Sequence, residues 1–131
     1  MPIYRYLTKV RLSYKVVFSC NSLKVVHLKT AFMPAECSQY EELNETDRYW
    51  KHTGSWYCDN HITSGQWYRF TGAAGTMMAT YCIPKGSCDT RAPGWINGNH
   101  PSEAYQLVSA TVCFHWNSNC CERSLPVQIR N

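Results

Sequence analysis

Eight cysteines, at positions 20, 37, 58, 82, 88, 113, 120 and 121, are the residues of this 131-residue chain with most capacity for chemistry. Thiols at this density bridge, bind metal or attack a substrate. Structural zinc sites usually draw their ligands from C-x2-C pairs, and the sequence contains none, so no metal site and no other cofactor is assigned. Bridging is the reading that remains, and it implies an oxidising, extracellular compartment. Cys120 and Cys121 are adjacent, with Cα atoms about 3.8 Å apart, whereas an unstrained bridge spans about 4.4 to 6.8 Å. Each is therefore expected to reach a different partner, tying two distant stretches of chain to one point. Cys82 and Cys88 flank Ile-Pro-Lys-Gly-Ser, and either bond to each other or anchor opposite sides of a hairpin. Eight cysteines allow roughly a hundred pairings, and spacing alone selects none of them.

Catalysis needs a nucleophile, a base and a group that orients the base. The sequence offers only loose candidates, such as Cys113 with His115, which share one face of a strand, or Ser55 with His52. Neither pair sits in a recognisable setting. There is no G-x-S-x-G, H-E-x-x-H or phosphate-binding glycine loop, and Cys113 is better placed as a bridge, so no catalytic residue is assigned and the chain is read as not an enzyme. Asn44-Glu45-Thr46 is the one N-x-S/T acceptor sequence, and on a polar surface segment of a secreted chain Asn44 would carry N-linked sugar. Trp67, Tyr68 and Phe70 form an aromatic block whose simplest use is core packing. Exposed Trp and Tyr side chains also suit protein or carbohydrate contact, which makes a carbohydrate-binding module the alternative function.

The elements that must position these residues read as short strands. Gln66-Trp67-Tyr68-Arg69-Phe70 is a strand closed by Thr71-Gly72-Ala73-Ala74-Gly75, where the glycines permit a tight turn or bulge. Further strands are expected at Leu107–Trp116 and Leu125–Ile129. Between them Pro84, Gly86, Pro93, Gly94, Gly98 and Pro101 predict loops held by bridges. Glu36–Trp50 carries most of the acids and reads as a surface stretch with one helical turn. The length suits one small disulfide-rich domain, mainly β with short helical turns.

The net charge of +4 is unevenly distributed. Residues 1–34 carry Arg5, Lys9, Arg11, Lys15, Lys24 and Lys29 and no acid, while residues 35–131 carry seven basic and nine acidic side chains. The cysteine-rich body is thus mildly acidic and offers nucleic acid no electrostatic footing. The basic segment alternates apolar and basic residues from Tyr4 to Tyr14; it suits an edge strand, a targeting peptide or untranslated sequence, and its status stays open. Met33-Pro34 marks the boundary, giving a segment 1–34 and a cysteine-rich domain 35–131. Nothing reaches the roughly 18 consecutive apolar residues of a membrane helix, so no direct membrane insertion is expected of this segment.

From Cys37 to Asn131 the sequence resembles the eight-cysteine domain of uromodulin-type extracellular glycoproteins. The residues that carry the resemblance are Cys58-Asp59, the run from Gly65 to Met78, Cys82-Ile-Pro, Cys88-Asp-Thr, Ala92-Pro-Gly-Trp95, Gly98-Asn-His-Pro101, Cys113-Phe-His-Trp116 and Cys120-Cys121. The resemblance implies a non-catalytic recognition or structural module of a secreted or membrane-anchored multidomain glycoprotein, with an extracellular protein or glycan as partner. It places Cys37, Cys58, Cys82, Cys88, Cys113, Cys120 and Cys121 among the family's bridging cysteines. The family's eighth cysteine is expected just past Asn131, so the domain reads as truncated there and Cys20 as an extra thiol. Vertebrate members carry an N-glycosylation site at the turn before His-Pro, whereas here Asn97-Gly98-Asn99 lacks the hydroxyl residue.

Overall fold

The computed structural model describes residues 14–17, 35–54, 57–59, 62 and 65–131. Six strands form one mixed sheet: β1 (Tyr14–Val17), β2 (Glu41–Leu43), β3 (Trp67–Phe70), β4 (Gly94–Asn97), β5 (Leu107–Trp116) and β6 (Asn119–Arg130). Their order across the sheet is β2-β3-β1-β6-β5-β4. The last three run antiparallel, while β1 lies parallel to both β3 and β6, and β2 parallel to β3. Among the described residues helix is confined to four three-residue 3-10 turns, so the chain is a small, mainly β domain.

Alternation explains β3, where Tyr68 and Phe70 point into the core and Trp67 and Arg69 are half-covered. In β6, Val127 and Ile129 are buried and alternate with Gln128 and Arg130. Pro126 lies opposite Thr111 of β5, and the described residues of β1 pair with β6 from Val127 onward, which leaves the position one where proline is compatible with the ladder. In β5 the buried run Val112-Cys113-Phe114 breaks the alternation, because that end of the strand is covered on both faces. The core is closed by the irregular segment between β3 and β4, which contributes Ala74, Met78, Ala79, Ile83, Cys88 and Ala92. Among the described residues, loops and short 3-10 turns form the second layer that the sheet needs.

Three expectations meet a different outcome. Residues 94–97 fall in a stretch read as loop but form β4, whose Ile96 is fully buried and donates its N–H to Ala79 O at 2.7 Å. A four-residue strand set between Pro93 and Gly98 has too little pattern of its own, and its pairing with β5 supplies the order. Glu36–Trp50 is not wholly surface, since Leu43 and Arg48 are buried. The four-residue strand in the basic segment lies inside the sheet, between β3 and β6, and not at its edge; residues 4–13 of the alternating run lie outside the described residues.

Ile129, fully buried on β6, tests this packing. Ile129→Val is expected to lower stability by about 0.5 to 1.5 kcal/mol, read as a lower urea midpoint at unchanged slope. A change below about 0.3 kcal/mol would mean that Ile129 is not in the packed core.

Candidate functional site

The β5–β6 hairpin organises the cysteines. Its two-residue turn places Asn117 at φ 53, a left-handed conformation that asparagine tolerates. The ladder is irregular between Phe114 and Trp116, and His115 is released from it. The His115 N–H then reaches Pro93 O at 3.1 Å, and its Nδ1 donates to Ile83 O at 2.6 Å.

The strand that follows the turn carries the adjacent cysteines to separate partners. Cys120 bonds Cys82, with Cα atoms 5.6 Å apart, and Cys121 bonds Cys113, at 4.7 Å. Both separations lie within the range of unstrained bridges. Trp95 on neighbouring β4 donates its indole N–H to Cys120 O at 2.7 Å, which fixes the bridge against the sheet. Cys37 is buried and disulfide-bonded, and Cys88 is buried in the core. Cys58, expected among the bridging cysteines, instead carries an exposed free thiol. From Cys37 onward the chain holds seven cysteines, an odd number that cannot pair wholly within itself. Cys20 lies outside the described residues.

The two bridges bear on the chemistry within reach of the hairpin. Cys113 has no thiolate to offer His115, because its sulfur is committed to Cys121. Cys82, His115 and Cys120 bring their ligand atoms within 4.8 Å of one another. Two of those three are the joined sulfurs of a bridge, however, and metal ligation needs thiolates. His52 Nδ1 lies 2.7 Å from Asp89 Oδ2, an arrangement that orients the imidazole; Ser55, the proposed nucleophile, lies outside the described residues.

A second polar centre lies away from the hairpin. Arg48 and Asp59 are both fully buried, with Nη1 2.8 Å from Oδ1, and Glu45 takes the guanidinium through Nε at 2.6 Å and Nη2 at 3.2 Å. Burial alone would disfavour the charged guanidinium. The hydrogen bond to Glu45 and the charges of Asp59 and Glu45 outweigh it, and the pKa is raised above its ordinary value. Glu45 is the middle residue of the glycosylation sequence, so this contact anchors the segment on which Asn44 is displayed. Asn44 itself is exposed, directly after the edge strand β2, and Thr46 beside it is exposed too.

The described residues also line surface grooves. One, of about 510 Å³, runs past Arg69, Thr71, Met77, His100 and Pro101. Arg69 is engaged there by Tyr40, through a 3.2 Å hydrogen bond to its hydroxyl and through its ring. Another, of about 320 Å³, is lined by Lys85, Arg91, Trp116 and Asn117. Sequence reasoning missed both Arg48–Asp59 and the second groove. In each case residues from separate segments meet only in the tertiary structure, and no local pattern signals the meeting.

With two bridges meeting at adjacent cysteines of one hairpin, comparison with known families becomes decisive. Residues 68–131 match the uromodulin-like eight-cysteine domain. Residues 68–131 of the chain form a uromodulin-like domain. The chain is 44% identical over 97 residues to uromodulin of Rattus norvegicus, a match covering 72% of this chain and 14% of that protein. It is also 41% identical over 95 residues to the pancreatic secretory granule membrane major glycoprotein GP2 of Canis lupus familiaris, covering 72% and 18%. With GP2 of Homo sapiens it shares 34% over 110 residues, covering 83% and 20%. The chain thus matches a fifth or less of the length of these relatives. A uromodulin-like domain with formed disulfides belongs outside the reducing cytosol, in a secreted protein or an ectodomain. Among the described residues no helix is long and apolar enough to cross a membrane.

Proposed function

We propose that this uromodulin-like domain is a non-catalytic recognition module of an extracellular glycoprotein, which acts by surface contact and displays an N-linked glycan on Asn44. The observation that carries the reading is the hairpin with two bridges, which spends its cysteines on rigidity in a domain of the family shared with uromodulin and a granule membrane glycoprotein. Support for the glycan comes from the exposure of Asn44 and Thr46 beside a segment anchored through Glu45. The partner is an extracellular protein or glycan, and nothing in the reading calls for nucleic acid.

A second reading, direct binding of carbohydrate by aromatic side chains, is favoured by one observation: the half-buried ring of Trp116 lines a groove together with polar residues.

The test is secretion from eukaryotic cells behind a supplied signal peptide. The wild type is expected in the medium with a glycosidase-sensitive mobility shift, which Asn44→Gln and Thr46→Ala each abolish. Secretion without any shift would remove the glycan-display reading. Retention in the cell with every thiol reactive would remove the extracellular module.

A further inference from the structure

Lys85 and Arg91 come from one loop and Trp116 and Asn117 from the end of β5 and the turn after it, and the structure fixes both segments. The Cys82–Cys120 bridge pins the loop that carries Lys85, three residues after Cys82, to the hairpin turn that carries Asn117, three residues before Cys120. His115 adds two further ties, from Nδ1 to Ile83 O at 2.6 Å and from its N–H to Pro93 O at 3.1 Å. Between Lys85 and Arg91 the chain doubles back, with the Gly86 N–H donating to Thr90 O at 3.1 Å. The two cations are thereby brought from six positions apart in sequence to one groove. Cys88 and Asp89 inside that turn sit at φ 56 and 49. Asp89 is held by its N–H to His52 O at 3.2 Å, by Tyr57 N–H to its own O at 2.8 Å and by its Oδ2 beside His52.

The groove so formed is lined by two cationic side chains, one indole and one side-chain amide. No carboxylate among the described residues is ion-paired with Lys85. Residues 35–131 carry seven basic side chains in all, and Lys85 and Arg91 are two of them, both exposed. Guanidinium and ammonium groups suit carboxylate or sulfate, an indole face suits the C–H face of a pyranose ring, and an amide suits hydroxyls. A volume of about 320 Å³ lies at the small end of ligand sites and fits one or two sugar rings.

We propose that the groove of Lys85, Arg91, Trp116 and Asn117 binds an acidic saccharide, with the anionic substituent on the two cations and a ring against Trp116. This rests on the recognition-module reading and gives it a ligand class. Failure of secretion or glycosylation tests that reading, whereas the binding experiment on the folded, bridged protein tests this one.

The probe is a heparin-derived disaccharide, titrated into ¹⁵N-labelled full chain while the Trp116 indole N–H and Asn117 amide resonances are followed. Both signals are expected to shift together. Lys85→Ala/Arg91→Ala, which removes only exposed side chains, is expected to weaken binding by about tenfold or more, with native disulfides and circular dichroism retained. Trp116→Phe is expected to keep part of the affinity, because a smaller aromatic face remains. Unchanged affinity in the double variant overturns the proposal. So does a shift confined to the basic residues 1–34, or equal perturbation of Trp116 by an acidic hexapeptide, which would make the groove a peptide site.

Discussion

Arg48→Met is expected to destabilise the domain by about 3 to 5 kcal/mol, among the largest effects of any single substitution in the chain. Arg48 has no solvent exposure and lies 2.8 Å from Asp59, which is equally buried. Methionine fills comparable space but leaves the Asp59 carboxylate without its cation in a low-dielectric interior, and Glu45 loses the group that holds its end of the segment. The double variant Arg48→Met/Asp59→Leu removes both charges and is expected to recover much of the loss. A urea-denaturation cycle over the four proteins measures the coupling. If Arg48→Met costs less than about 1 kcal/mol, the pair is hydrated and the burial described for it is wrong. The sign of the pH dependence follows from the raised pKa of Arg48: its contribution is fully present below the unfolded value and is lost only as pH rises through the higher folded value. Neutral and mildly alkaline solutions should therefore leave this contribution intact.

Cys82→Ala/Cys120→Ala is expected to cost about 4 kcal/mol, and Cys113→Ala/Cys121→Ala about 2.5 kcal/mol. The difference follows from loop length. The first bridge closes a separation of 38 residues and the second one of 8, and the denatured chain gains more freedom when the longer loop is opened. Loss of the first bridge also unpins the Lys85 loop from the hairpin, so protease cleavage after Lys85 should accelerate in that variant and not in the other. Denaturation midpoints that rank the two variants in the opposite order would show that native-state contacts, and not loop closure, govern the contribution of each bridge.

The sequence was most informative where a strand carries its own pattern. β5 coincides with the run Leu107–Trp116, and β3 with the aromatic block, because β-branched and aromatic residues mark strands that are half or fully covered. β6 was legible only over Leu125–Ile129. Its first half, Asn119–Ser124, is exposed and polar and is held straight by pairing with β5 and by the two bridges. β4 was hidden among prolines and glycines, since its order comes from its neighbour. Of the disulfides, local geometry could exclude a bond between Cys120 and Cys121 but could not choose partners, which only the assembled sheet brings within reach. The acceptor sequence at Asn44, on which the proposed glycan rests, is local because three consecutive residues define it. Arg48–Asp59 and the Lys85–Arg91–Trp116 groove were not legible, because charge burial and groove formation depend on contacts between separate segments.

The central claim is that this domain is built on bridges at adjacent cysteines, and peptide mapping under non-reducing conditions tests it most directly. Protein secreted from eukaryotic cells is alkylated before digestion, so that no thiol can exchange. The account predicts peptides joined through Cys82–Cys120 and Cys113–Cys121, which separate on reduction, together with a bridged Cys37. Alkylation of Cys82, Cys113, Cys120 and Cys121 in a protein that is nevertheless folded would contradict it.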